Sequence, residues 1–210
     1  MYLTALTLSN GSRRNYYMLA DCQRTHSFVM SGFPQTDSAV PRADMAVLYD
    51  VHPMRCGTRI LIQSEIAPNL DAYRTYCVLS MPPQTKNISG IESALTNGMK
   101  LRFSLFASPV TQRTNPGYKN PIRTFISDES ERTAWLARKL ASGGAQLITA
   151  VETGSDTIYG RKKGSNIKAT GMHWEGALMI TDADAFYAML KHGIGTERAY
   201  GMGMLMLQRI

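Results

Sequence analysis

Histidine is the side chain whose ordinary pKa places its charge change near neutral pH, so each of the four histidines is a candidate for moving a proton. His26 sits in a helical pattern in which Met18, Leu19, Cys22, Val29 and Met30 share its sector of the wheel. Two readings fit that position: a proton-transfer group lining a cleft, or a histidine satisfied within an apolar core. His52, His173 and His192 are scattered along the chain. No His/Asp/Glu cluster has metal-ligand spacing, and Cys22, Cys56 and Cys77 form no Cys-x-x-Cys pair, so neither a metal nor another cofactor is expected. An odd number of unpaired cysteines also suits a reducing compartment, and the chain reads as cytoplasmic.

A second kind of chemistry comes from charge. The 210-residue chain carries a net charge of +7, and residues 86–210 hold 16 Lys/Arg against 10 Asp/Glu, whereas residues 1–85 hold 7 against 6. Residues 93–127 contain Lys100, Arg102, Arg113, Lys119 and Arg123 and no acid. Such a run is either a solvated loop or a surface that tracks phosphates. Arg161, Lys162 and Lys163, with Lys168 just beyond, sit in a polar segment flanked by Ile158 and Ile167 and read as the tip of a β-hairpin. Arg138 and Lys139 lie on a helix and add two further cations. A third element is the stretch Gly193, Gly195, Gly201 and Gly203 with Arg198 among them. Glycines allow close backbone approach, so this loop either offers N–H groups to phosphates or packs tightly on a neighbouring domain. It follows a helix and lacks a terminal Gly-Lys-Ser/Thr, which excludes a Walker loop.

The elements that must position these residues are partly legible. Residues 2–8 read as a strand, residues 9–12 as a turn, and residues 15–30 as one helix capped by Asn15 and ended by Gly32 and Pro34. Short strands are expected at 46–49, 59–64 and 75–79, with a weak or short second helix. Pro82 and Pro83 mark the best linker, which gives an N-terminal domain over 1–81, a linker over 82–96 and a C-terminal domain over 97–210. In the second half, residues 100–106 alternate with period two, Asp128 and Glu131 have capping-box spacing, and Trp135, Leu136 and Leu140 give the next helix an apolar stripe. Strands follow at 146–151 and 170–180, then a helix capped by Asp182 and a last strand at 203–207. The order β-α-β-β-α-β is the ferredoxin-like unit, so the expected class is α+β with two tandem ferredoxin-like, RRM-like domains. Residues 1–10 lack a secretory pattern, and no apolar run is long enough to span a membrane.

The glycine-rich tail resembles the signature of CRISPR repeat endoribonucleases of the CasE type, in the repeat-associated RNA-processing superfamily. Gly193, Ile194, Gly195, Arg198, Gly201, Gly203 and Leu205 match its pattern, with Met204 in place of a leucine. Met1-Tyr2-Leu3, residues 103–109 (Ser108 replacing asparagine), residues 133–140 and residues 175–182 are similar to further family segments in the same order, whereas residues 35–95 match weakly. The resemblance implies metal-independent cleavage of a CRISPR repeat stem-loop at its 3′ base, giving a 2′,3′-cyclic phosphate, and membership of a multi-subunit effector complex. It makes His26 the catalytic histidine, ahead of Phe33 and Pro34, and it makes the basic hairpin an RNA-binding element. A tyrosine is usual one turn before the histidine; here that residue is Gln23, so Tyr16, Tyr17 and Arg24 are the expected compensating groups. Two alternatives remain: a catalytically weak subunit that tethers the guide stem-loop, and a protein–protein module without RNA.

Overall fold

The computed structural model describes residues 1–113 and 122–210. Strand β1 (Tyr2–Leu8) leads through helices α1 (Arg13–Leu19), α2 (Cys22–Met30) and α3 (Pro41–Asp44) to the hairpin β2 (Leu48–Met54) and β3 (Gly57–Ser64). Helix α4 (Leu70–Tyr76) and strand β4 (Leu79–Asn87) complete a sheet of order β2-β3-β1-β4. After α5 (Ile91–Ala94) come β5 (Lys100–Ala107), the small hairpin β6 (Val110–Arg113) and β7 (Ile122–Phe125), and α6 (Glu129–Ser142). The long hairpin β8 (Ala145–Lys162) and β9 (Ser165–Ile180), α7 (Ala183–His192), a 3-10 turn at Arg198–Tyr200 and β10 (Leu205–Arg209) close a second sheet of order β10-β5-β9-β8. In each sheet the first strand of the unit lies between the third and the fourth, and the second lies at an edge. That order is the ferredoxin-like one, so the fold is two such domains, as the element order predicts.

Three local expectations are corrected. The first helix is broken at Ala20. Ser12, not Asn15, caps α1, while the Asp21 carboxylate accepts the N–H groups of Gln23 at 2.8 Å and Arg24 at 3.1 Å and starts a new helix. Asn15 is instead buried, donating to the Ser9 and Val78 carbonyls and accepting the Val78 N–H. The expected strand at 75–79 gives way to α4, which Asn69 caps. The expected linker is a strand: Pro82 and Pro83 lie in β4 at the sheet edge. Ala5 pairs with Gln84 and Thr7 with Met81, so both prolines bulge opposite Leu6, where no ladder donor is required.

Each domain has its own core. Leu6, Leu8, Phe28, Val29, Ile60, Ile62 and Tyr73 fill the first. Trp135, Leu136, Leu140, Trp174, Leu178 and Phe186 fill the second, with the two indoles stacked at 6.0 Å between centroids. In α6 the Asp128 side chain accepts the Glu131 N–H at 2.9 Å, as capping-box spacing predicts. Of β9, only residues 172–179 pair with β5, so the far half of the long hairpin runs past the sheet. Its tip is a two-residue turn, Lys163 and Gly164, both at positive φ, the geometry that matches strand twist.

Candidate active site

The long hairpin reaches across to the first domain. Gly160 lies so close to the start of α2 that an added Cβ would sit 2.7 Å from Cys22 Sγ, 3.0 Å from Asp21 Oδ1 and 3.2 Å from Gln23 N. That approach brings Lys162, two residues on, into the cleft that holds His26. The cleft has a volume of about 490 Å³, and its walls include Gln23, Ser27, Arg42 and Ala199. His26 is half-buried, and its Nδ1 is buried without a hydrogen-bond partner among the described residues. Burial first, then the charges of Lys162 and Arg42, push its pKa below the ordinary histidine value, with the Ala199 carbonyl pulling weakly the other way. The side chain is therefore a neutral proton acceptor at pH 7, beside two cations. The Tyr200 ring meets His26 edge-on at 6.2 Å, and its hydroxyl lies 3.4 Å from Gln23 Oε1. Burial raises the Tyr200 pKa, so the phenol stays protonated and faces Gln23 at the long end of hydrogen-bond range.

Sequence reasoning missed Arg42 and Tyr200 as neighbours of His26. Arg42 lies on the four-residue α3, where the sequence carries little helical pattern, and one guanidinium nitrogen donates to Val47 O at 2.9 Å. Tyr200 was within reach, since it falls inside the glycine-rich stretch next to Gly201. The structure does not bring Tyr17 and Arg24 to His26. The break at Ala20 turns α1 away, and the Arg24 guanidinium stacks 3.6 Å over the Tyr17 ring and donates to Tyr17 O at 2.8 Å, in a different groove.

The basic residues divide into groups. Arg161, Lys163 and Lys168 are exposed along the hairpin with Lys162. Arg138 and Lys139 are exposed on α6, and Lys139 borders a cleft with His192, Gly195 and Arg198. Arg102 is exposed on the open face of the second sheet, and Arg123 is exposed on β7. Lys119 lies outside the described residues, as does the side chain of Arg113. The glycine-rich loop serves packing between domains: a Cβ on Gly193 would meet Leu48, and one on Gly201, at φ +82°, would sit 3.0 Å from the Tyr49 ring. The Tyr49 hydroxyl donates to Ala199 O at 3.0 Å, and Gln63 Nε2 donates to Leu190 O at 2.8 Å, tying the same two surfaces. Gly195 and Gly203 share this loop, and Arg198 donates to His192 O at the end of α7.

No group of three or more His, Cys, Asp or Glu side chains suited to a metal ion occurs among the described residues. Among the described residues all three cysteines are free, and burial and Asp21 push the Cys22 thiol up to about 11, so it stays protonated. No described helix is long and apolar enough to cross a membrane.

The fold and the cleft define a two-domain ferredoxin-like protein with a half-buried histidine set among cations. The family described as CRISPR associated protein matches residues 1–209, and the chain belongs to it. It is 26% identical to the CRISPR-associated endoribonuclease Cse3 of Thermus thermophilus and 28% identical to the CRISPR system Cascade subunit CasE of Escherichia coli K12. Those matches cover 98% and 99% of this chain and 98% of each relative. Among solved structures, a CRISPR endoribonuclease Cse3 bound to a 19-nucleotide RNA superposes with a TM-score of 0.81 at 25% identity, covering 99% of this chain and all of that one.

Proposed function

We propose that this protein is an endoribonuclease that binds the stem-loop of CRISPR repeat RNA, cuts at its 3′ base and stays on the product as a subunit of a guide–effector complex. The observation that carries this reading is the docking of the basic hairpin on α2, which puts Lys162 and His26 in one cleft. Its closest chemical counterpart is in-line attack by a ribose 2′-hydroxyl on the adjacent phosphorus. Neutral His26 takes the 2′ proton, the 2′-O–P bond forms, and the P–O5′ bond breaks to leave a 2′,3′-cyclic phosphate and a 5′-hydroxyl that takes up a proton. Lys162 and Arg42 offset the charge that develops on the phosphoryl oxygens. With the nucleophile already on the substrate and His26, Lys162 and Arg42 supplying proton transfer and charge, the reaction can run without a metal.

The names of the relatives support both halves of the proposal, one being an endoribonuclease and the other a Cascade subunit. Arg161, Lys163 and Lys168 then track the stem, with Arg138 and Lys139 on α6 as a second phosphate-binding edge. The free cysteines suit the cytoplasm, where we place the protein. One observation favours a second reading, a tethering subunit with weak catalysis: the residue one turn before His26 is Gln23, which cannot exchange a proton.

Cleavage of the cognate repeat RNA in EDTA by native protein and by His26→Ala, with binding followed in parallel, decides between them. We expect native cutting, at least 10²-fold slower cutting by the variant, and equal stem-loop affinity. Tight binding with no cutting by either protein selects the tethering reading. Unchanged cutting by the variant removes His26 from the reaction.

A further inference from the structure

Tyr17 and Arg24 leave the His26 cleft but line a groove of their own, of about 400 Å³, between α1, α2 and α4. Its floor is apolar, with Met18 and Phe28, while Arg14, Tyr17, Arg24 and Tyr76 form the rim. The tyrosines stand well out of the core: Tyr17 is 62% and Tyr76 52% exposed, and Tyr16, next on α1, is 77% exposed. Large aromatic faces left in solvent beside guanidinium groups are unusual for a surface without a partner. No carboxylate lines the groove. The nearest acid in the chain, Asp21, already accepts two backbone N–H groups at the start of α2. This local charge stands out in an N-terminal half that is otherwise close to neutral.

The groove adjoins the His26 cleft across α2. Gln23 and Ser27 line both, one on each side of the exposed ridge of α2. A chain leaving the reacting phosphate along this ridge arrives at Tyr17 and Arg24.

We propose that this groove binds the unpaired RNA strand that leaves the stem at the cleavage site, an inference that rests on the His26 cleft being the site of RNA cleavage. Bases stack on the Tyr17–Arg24 pair and on Tyr16 or Tyr76, and the intervening phosphates lie against Arg14 and Arg24. Aromatic rings and guanidinium planes take any base on their faces, so the groove gives affinity for a single strand with little sequence preference. The exposed guanidiniums favour a polyanion over an apolar protein segment, which would have to bury them unpaired.

The test compares two RNAs, the repeat stem-loop alone and the same stem-loop carrying a ten-nucleotide unpaired 3′ flank with a 2′-deoxyribose at the cleavage site so that the flank is not cut off, against full-length native protein, Tyr17→Ser and Arg24→Gln. Both side chains are surface groups, and thermal melting checks that each variant folds. Native protein is expected to bind the flanked RNA more tightly. Each variant is expected to lose about tenfold on the flanked RNA, the scale of one stacked base, and nothing on the bare stem-loop. Equal affinity of native protein for the two RNAs overturns the proposal, as does a variant that weakens both RNAs alike or neither. A variant that handles both RNAs as native protein does but fails to join its partner subunits assigns the groove to a protein and overturns it too. Failure of native protein to bind the bare stem-loop would strike the cleavage reading itself, which is a separate result.

Discussion

Gly160→Ala is the smallest change that should separate the hairpin from His26. The new Cβ would lie 2.7 Å from Cys22 Sγ, with Asp21 Oδ1 and Gln23 N at 3.0 and 3.2 Å. Non-bonded carbon contacts prefer about 3.5–4.0 Å, so roughly 1 Å of movement is needed. Helix α2 is anchored by buried Phe28 and Val29, whereas the outer hairpin is exposed and lies beyond its sheet partner, so the hairpin is the part that yields. Overpacking of this size costs about 1–3 kcal/mol. Lys162 moves with the hairpin, and a displacement of about 1 Å at a reacting centre is worth on the order of 10²-fold in rate. Single-turnover cleavage should therefore fall by about that factor. Gly154→Ala is the control, because its added Cβ meets nothing within 4 Å on the same strand. Cys22→Ala removes the nearest clashing atom and should restore part of the rate in the double variant, leaving the two polar contacts unrelieved. A Gly160→Ala protein that cuts at the native rate, or a Gly154→Ala protein that loses as much, would refute the claim that hairpin docking sets the active geometry.

Two further outcomes follow from the same geometry. His26 accepts a proton only when neutral, and Lys162 is one of the causes that lower its pKa, so Lys162→Gln should raise that pKa and move the acidic limb of kcat/KM to higher pH; an unmoved limb would separate the two residues. Arg132 donates to both Glu152 oxygens, at 2.7 and 2.6 Å, with the two side chains only 11% and 13% exposed. Arg132→Met leaves that carboxylate unpaired between α6 and β8 and should cost about 3 kcal/mol in urea unfolding, and a loss below about 1 kcal/mol would show that the pair adds little.

Much of the second domain could be read from neighbouring residues. Asp128 with Glu131, the stripe of Trp135, Leu136 and Leu140, and the alternation over 100–106 each act within a turn or two of chain, where capping and burial patterns are local. The same local chemistry was present at Asp21, but the apolar stripe runs on from Met18 to Val29 and hides the break. Prolines at 82 and 83 look like a linker until β1 is set beside them, because a proline is compatible with a strand only at an edge or a bulge, and edges exist only in the assembled sheet. His26 itself was marked by its residue type and by the motif around it. Its neighbours from outside its own helix were decided mostly by tertiary structure. Lys162 is brought from the second domain by a hairpin that outruns its sheet, Arg42 comes from a short helix with little pattern of its own, and Tyr17 and Arg24 are carried away by one capped turn. A sequence specifies which side chains can transfer a proton or hold a phosphate. Which of them share a cleft depends on how two separately packed cores bring their surfaces together, and here that rests on a glycine thin enough to let one pass against the other.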